Sequence, residues 1–147
     1  MVNHFHFIDY PPLHENVRVL RWKPEYENMK IDNAETALEL SIDKWGTIVA
    51  ECAQQIGDDT YFAITDGGGE TCALCEFSYD DKHQSCRSCI IRKDTGQVEC
   101  RGTDYYKFVN SRNRHDRLLY AESMLAYLRG LQERLQAQPQ QIPQSSE

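Results

Sequence analysis

The residues with the clearest chemical potential are five cysteines that lie between positions 72 and 100. Four of them form two Cys-x2-Cys pairs, Cys72 with Cys75 and Cys86 with Cys89, and Cys100 follows after ten further residues. A tight turn across two intervening residues lets both sulfurs bind one ion, and two such turns complete a tetrahedral four-sulfur shell. The spacing therefore predicts a structural Zn²⁺ site with Cys72, Cys75, Cys86 and Cys89 as ligands, and with Cys100 as a substitute ligand.

Other cysteine chemistry stays open at this point. An iron–sulfur cluster also takes four thiolates, although the spacing here matches neither of the common ferredoxin patterns, and disulfides or reactive thiols are further alternatives. A closed four-sulfur zinc site has no free coordination position, so it stabilises folding and does not activate water. A catalytic zinc would need His83 together with cysteines and a base such as Glu76 or Asp80. We therefore predict that the protein is not an enzyme.

Charge is distributed unevenly along the chain. The formal net charge is −7, yet residues 25–70 hold eleven acidic and two basic residues, whereas residues 82–117 hold nine basic and four acidic ones. A uniformly acidic protein is repelled by nucleic acid. A polarised one can present a basic face to phosphates, or an acidic face to a basic groove on a protein.

The basic segment also contains aromatic residues, a mixture that suits phosphate contacts combined with base stacking. The residues proposed for binding nucleic acid or a protein partner are Arg87, Arg92, Lys93, Arg101, Tyr105, Lys107, Arg112 and Arg114. The same pattern also fits a solvated basic surface above a core that contains Tyr105, Tyr106 and Phe108.

Length and composition are typical of one soluble domain. With 147 residues, of which 40% are hydrophobic and 27% charged, the chain can bury a single core. No apolar run approaches the roughly 18 residues of a membrane span, and the first residues lack the pattern of a signal peptide. We expect a cytoplasmic protein without membrane contact, where paired cysteines more often bind metal than form disulfides.

Several elements are predicted around the cysteines. Residues 1–15 are expected to form an extended arm, 16–22 a strand, and 60–65 a second short strand. Asp32 or Asn33 is the expected N-cap of a helix that ends near Ile56, because apolar residues recur there at helical spacing. Residues 90–98 suggest a hairpin around a turn at 93–97.

A short helix from Tyr105 and a long leucine-rich helix from about Asp116 to Gln136 complete the prediction. The fold class is therefore mainly α with a few short β-strands (α+β), in which two long helices flank a small zinc module at 72–100. We expect one domain over residues 1–136 and a disordered tail over 137–147, where the composition is polar and broken by prolines. The leucine stripes on both helices would also allow a homodimer.

The cysteine segment resembles small uncharacterised proteins encoded by bacteriophages. The shared sequence motifs are Cys72-Ala-Leu-Cys75, Cys86-Arg-Ser-Cys89, Thr95-Gly96-Gln97, Cys100-Arg101-Gly102-Thr103 and Tyr105, with Lys44-Trp45 ahead of them. The similarity spans roughly residues 34–135. It implies a phage or prophage setting and a bacterial host cytoplasm, and it supplies no activity.

These observations lead to one functional hypothesis and one alternative. The first is a non-enzymatic, zinc-stabilised interaction protein that binds a host protein or nucleoprotein, such as a defence system, and modulates it, for example by inhibition. The alternative is a zinc module that binds nucleic acid through the basic segment 82–117.

Overall fold

The computed structural model describes residues 3–9, 17–57, 63–78, 89–97 and 100–137. Their elements in chain order are β1 (Phe5–Asp9), β2 (Val17–Trp22), α1 (Ala34–Ile56), β3 (Ala63–Thr65), α2 (Ala73–Ser78), α3 (Ile90–Thr95), α4 (Tyr105–Asn110) and α5 (Arg114–Ala137). Short 3₁₀ turns occupy Pro24–Tyr26 and Gly68–Thr71. The described chain is thus mainly helical with one small sheet, which confirms the α+β class.

The three strands form one mixed sheet in the order β1-β2-β3. β1 runs antiparallel to β2, with Phe5 opposite Trp22, and β3 runs parallel to β2. The rings of Phe5 and Trp22 lie 4.4 Å apart between centroids, and both side chains are buried. The strand predicted at 16–22 is therefore confirmed over Val17–Trp22. Within the predicted extended arm, Phe5–Asp9 is extended and pairs with β2 as the edge strand of the sheet.

Helix α1 begins and ends where the sequence predicts. The Asn33 side chain accepts a hydrogen bond from the Thr36 N–H at 2.8 Å, which satisfies one of the backbone donors left open at a helix start. Gly57 occupies the C-cap. The predicted apolar stripe is buried, and Ile48 and Cys52 are among its least exposed members.

Helix α5 packs along α1, and their facing side chains form the centre of the core. The buried residues of α5 recur at helical spacing and include Ala121, Met124, Leu125, Leu128 and Leu131. The predicted long helix is confirmed and begins slightly earlier, at Arg114. Ala137, which was assigned to the tail, is its last residue. Tail residues 138–147 lie outside the described ranges.

Two polar contacts join the sheet to α1. The Arg18 guanidinium donates to Asp9 at 2.9 Å and to Glu51 of α1 at 2.6 Å. His4 Nδ1 lies 2.8 Å from Asp43 Oδ2, and the His4 backbone N–H donates to the same oxygen. His4 and β2 are therefore fixed against α1 at Asp43 and Glu51.

The predicted hairpin at 90–98 is wrong for its first arm and turn, because Ile90–Thr95 forms helix α3. Gly96, at φ +78°, ends this helix in the left-handed conformation, and its N–H donates to the Arg92 carbonyl. A glycine after a turn-like Asp-Thr pair fits a hairpin turn and a helix C-cap equally well. The burial of Ile91 in the core favours the helix.

No helix in the described ranges combines the length and the apolar character needed to cross a membrane.

Candidate metal centre and adjoining cavity

Three separate segments carry the described cysteines of the central region. Cys72 directly precedes α2 and Cys75 lies in its first turn, whereas Cys89 is the N-cap of α3. Cys100 stands five residues before α4 with φ +62°, the one non-glycine residue with positive φ in the described ranges. Cys89 is buried and the other three are half-buried. Cys86, a predicted ligand, lies outside the described residues.

The first cysteine pair has the local geometry of a sulfur-binding turn. The Cys75 backbone N–H donates to Cys72 Sγ at 3.2 Å. The Cys75 side chain also donates to Cys72, which lowers the pKa of Cys72 despite its burial, and the Lys44 ammonium lowers it further. The Cys72 thiolate and burial in turn raise the pKa of Cys75. The pair therefore shares one proton, with the negative charge on Cys72.

The other two described cysteines act on Cys75 at longer range. Negative charge at Cys100 and at Cys89 raises the pKa of Cys75 further, so each of them lies within electrostatic reach of Cys75. Within the described ranges, however, no three His, Cys, Asp or Glu side chains are grouped tightly enough to hold an ion. Binding a single metal ion would require the sulfurs to move closer together.

A buried ion pair lies beside the cysteines. Lys44 Nζ, on α1, donates to Asp66 Oδ2 at 3.2 Å, and the two side chains are only 4% and 7% exposed. The Tyr105 hydroxyl donates to the other oxygen, Asp66 Oδ1, at 3.3 Å. Burial, followed by the negative charge of Asp66, raises the pKa of Tyr105. Tyr105 therefore remains a neutral donor that helps to hold the Asp66 carboxylate.

The loop after β3 places Asp66 against Lys44. Gly67 has φ +85°, and a Cβ there would lie 2.6 Å from Thr71 Oγ1 and 2.9 Å from the Leu20 carbonyl oxygen. The buried Thr71 hydroxyl donates back to the Asp66 carbonyl oxygen. Gly67 thus permits a close approach of this loop to β2 that fixes Asp66.

A cavity of about 180 Å³ adjoins both groups. Lys44 and Asp66 line it, and so do three of the cysteines, Cys72, Cys75 and Cys100. The rest of its wall is largely aromatic and apolar, formed by side chains from α1, α4 and α5 such as Trp45, Tyr105, Met124 and Leu128. The cavity therefore lies between the long helices and the cysteine-bearing segments.

The donor set fits a thiolate-bound metal. Four cysteines suit Zn²⁺ and also an iron–sulfur cluster. The N–H···S bond and the nearby Lys44 ammonium both stabilise negative charge on Cys72, and a thiol must lose its proton to bind metal. The described cysteines that would be available to bind such a metal are Cys72, Cys75, Cys89 and Cys100, and they include the substitute ligand predicted from the sequence.

Comparison with known proteins gives no relative. A scan against protein-family models, a search of curated proteins and a search of solved structures each found no match.

The basic residues predicted to bind nucleic acid or a partner differ in their exposure. Lys93, Arg101, Lys107 and Arg112 are exposed, and Arg92 and Arg114 are half-buried. Arg114 donates to the Gln55 carbonyl at the end of α1, and Lys107 lies 3.7 Å from Asp104. Arg87 lies outside the described residues.

The aromatic residues of the basic segment also differ in their exposure. Phe108 is buried against Trp45, with ring centroids 5.1 Å apart, and half-buried Tyr105 is bonded to Asp66. Tyr106 is 39% exposed. Of these three rings, only Tyr106 presents a substantial surface for stacking against a nucleobase.

Sequence reasoning missed the Lys44–Asp66 pair. Lys44 lies within the apolar stripe of α1, between Ser41 and Ile48, and a lysine at such a position is unusual in a buried helix face. That position was an available signal that Lys44 has a buried partner. Nothing local to Asp66 identifies it as that partner.

Proposed function

We propose that the chain is a non-enzymatic interaction protein whose central segment is held together by a Zn²⁺ ion bound to cysteine thiolates. One observation carries the proposal: Cys72, Cys75 and Cys100, from separate segments, line one cavity, and Cys89 lies close enough to Cys75 to raise its pKa. We assign these four as the ligands, with Cys86 as the alternative to one of them.

A structural role for the metal follows from the number of thiols. Four thiolates fill the tetrahedral shell of Zn²⁺ and leave no position for water or substrate. The ion would then join α2, α3 and the turn at Cys100, which are short elements of six residues or fewer. Helices of this length are marginal without tertiary support, so metal binding contributes directly to folding here.

The surface of α4 is the candidate site for a partner. Tyr106 and Val109 lie three residues apart on this helix and are 39% and 49% exposed, so they share one face. Exposed cations flank them at Arg101, Lys107 and Arg112. Aromatic and arginine side chains are enriched in protein interfaces. This surface therefore suits a partner with an apolar patch bordered by acidic groups.

We place that partner in a bacterial host, because the cysteine segment resembles phage-encoded proteins. A host protein or nucleoprotein, such as a component of a defence system, remains the proposed target. The alternative is direct nucleic-acid binding by the basic segment. The exposed cations favour it, but the burial of Phe108 and the internal hydrogen bond of Tyr105 leave little aromatic surface for base stacking. We therefore rank it second.

Metal analysis tests the first half of the proposal. Protein purified without added metal should contain one zinc per chain and be colourless. Visible absorption from iron–sulfur charge transfer would instead show that the cysteines bind an iron–sulfur cluster. Cys89→Ser and Cys100→Ser should each lose zinc and thermal stability, whereas Cys52→Ser, a buried cysteine on α1, should keep full zinc content. Full zinc content in Cys100→Ser, with loss in Cys86→Ser, would instead assign Cys86 as the fourth ligand.

Binding measurements test the second half. A host protein retained by the immobilised chain should be lost with Val109→Asp and kept with Leu119→Asp, a matched change at an exposed leucine of α5. Direct nucleic-acid binding should weaken steeply with salt, because each phosphate contact releases counterions. Fluorescence anisotropy with single-stranded and duplex probes therefore distinguishes the two. Binding to these probes at low salt that is lost with Lys107→Glu would favour the alternative.

A further inference from the structure

The cavity beside the cysteines contains hydrogen-bonding groups that the metal proposal does not use. Ser41 is 4% exposed and lines the cavity, and its hydroxyl has no hydrogen-bond partner within the described part of the chain. Buried hydroxyls normally have a partner, because an unpaired one loses its bonds to water without compensation. The Ser41 oxygen is not among the fully enclosed unpaired atoms of the described residues, so it remains open to the cavity, where water or a ligand can accept its hydrogen bond.

Lys44 offers a second donor to the same space. It lies three residues after Ser41 on α1, so both side chains point to one face of the helix. An ammonium has three N–H donors, and Asp66 is its one hydrogen-bond acceptor among the described residues. Lys44 therefore retains donors that can point into the cavity it lines.

The size and walls of the cavity restrict what it can hold. A dry cavity of about 150 Å³ accommodates benzene, so the 180 Å³ here has room for one six-membered ring with a small substituent. Trp45 and Tyr105 supply aromatic walls, and Met124 and Leu128 supply apolar ones. Flat rings pack well against such walls. Tyr106, which is 39% exposed, also lines the cavity and marks where it meets solvent.

The charges beside the cavity favour an uncharged ligand. The positive charge of Lys44 is already balanced by Asp66 at 3.2 Å. An anion would lose its hydration on entering and would gain only an ammonium that is already paired. A carbonyl oxygen can accept bonds from Ser41 and Lys44 without that cost.

We propose that this cavity is a binding site for a small uncharged single-ring molecule that carries a carbonyl group, with Ser41 and Lys44 as the donors to that carbonyl. The class includes aromatic amides and pyrimidine bases. The site goes beyond the interaction function and does not require a metal, because its donors and walls belong to α1, α4 and α5 as well as to the cysteine segments.

Fluorescence of Trp45 gives a direct test. The chain has two tryptophans, and Trp22→Phe removes the other one, which lies in the sheet against Phe5. The probes are benzamide, nicotinamide and uracil, with benzoate as the charged counterpart of benzamide. We expect a saturable change in Trp45 emission at millimolar benzamide or a related probe, and at least tenfold weaker binding of benzoate.

Variants then locate the contact. Ser41→Ala should weaken binding about three- to tenfold, the range expected for one hydrogen bond, and should leave folding unchanged because the hydroxyl has no protein partner in the described ranges. Ser123→Ala is the matched control, since that hydroxyl donates to Asp104 and lies outside the lining of the cavity. It should bind the probes as the parent does.

Circular dichroism first verifies that each sample is folded. Three outcomes in folded protein would then overturn the ligand-binding proposal. They are no saturable change with any probe, equal binding of benzoate and benzamide, and unchanged affinity in Ser41→Ala. Zinc content measured on the same samples keeps the two proposals distinct. If the purified chain contains no zinc but binds benzamide, the metal proposal is refuted and the ligand-binding proposal stands. If the purified chain contains zinc but binds no probe, only the ligand-binding proposal is refuted.

Discussion

Removing the buried ammonium of Lys44 should strongly destabilise the protein. The change Lys44→Met keeps a long side chain of similar shape on α1 but leaves the Asp66 carboxylate without its cation. Both side chains are more than nine-tenths buried and their charged atoms are 3.2 Å apart. Solvent therefore cannot replace the lost partner, although the Tyr105 hydroxyl still donates to Asp66.

The expected magnitude follows from that burial. Breaking a buried pair by removing one partner costs about 3–5 kcal/mol, because an uncompensated charge remains. For a chain of this length each kcal/mol lowers the melting temperature by ~3 °C, so Lys44→Met should melt roughly 10–15 °C below the parent. Removing both charges is expected to cost much less, since no isolated ion remains. The double variant Lys44→Met/Asp66→Asn should therefore be more stable than Lys44→Met.

Urea unfolding followed by circular dichroism at saturating zinc measures these differences. The single variants Lys44→Met and Asp66→Asn, with the double variant, complete a double-mutant cycle. Lys30→Met is a suitable control, because that lysine is 88% exposed in its pair with Asp32 and exposed pairs contribute little. A cost below about 1 kcal/mol for Lys44→Met, or simple additivity in the cycle, would refute the reasoning from burial.

Three further results are expected. Burial raises the pKa of Cys52 to about 12, so the folded state keeps a proton that the unfolded chain loses near pH 9. The stability present below pH 9 is then lost as pH rises towards 12, and urea unfolding should show that Cys52→Ala loses about 2 kcal/mol less than the parent between pH 9 and 10.5. Asn33→Ala should cost about 1 kcal/mol by loss of the N-cap bond, while Asn33→Ser should cost little, and equal losses would contradict the capping argument. Gly67→Ala should lower the melting temperature more than Gly96→Ala, because both positions have positive φ but only the first places a Cβ against Thr71 and a backbone oxygen; the reverse order would count against that explanation.

Much of the architecture could be predicted from local signals. Asn33 begins α1 because its side chain accepts a hydrogen bond from the Thr36 N–H at the helix start, a contact that depends on the neighbouring backbone alone. The period of the apolar residues identified both long helices, since only one face of each can be buried. Local signals failed at α3, where Asp94, Thr95 and Gly96 are compatible with a hairpin turn and with a helix terminus. The contact of Ile91 with the core distinguishes the two.

The sequence by itself determined the two long helices, strand β2 and the thiol chemistry of the segment from Cys72 to Cys100. Tertiary structure decided which charged and polar groups meet. Asp66 reaches Lys44 across 22 positions because a left-handed turn at Gly67 brings its loop against β2. Cys72, Cys75 and Cys100 come from separate segments and line one cavity beside that ion pair. Residue types and spacing encode which groups can bind a metal or a proton. The distances and burial that set the strength of those interactions arise only when separate segments pack together.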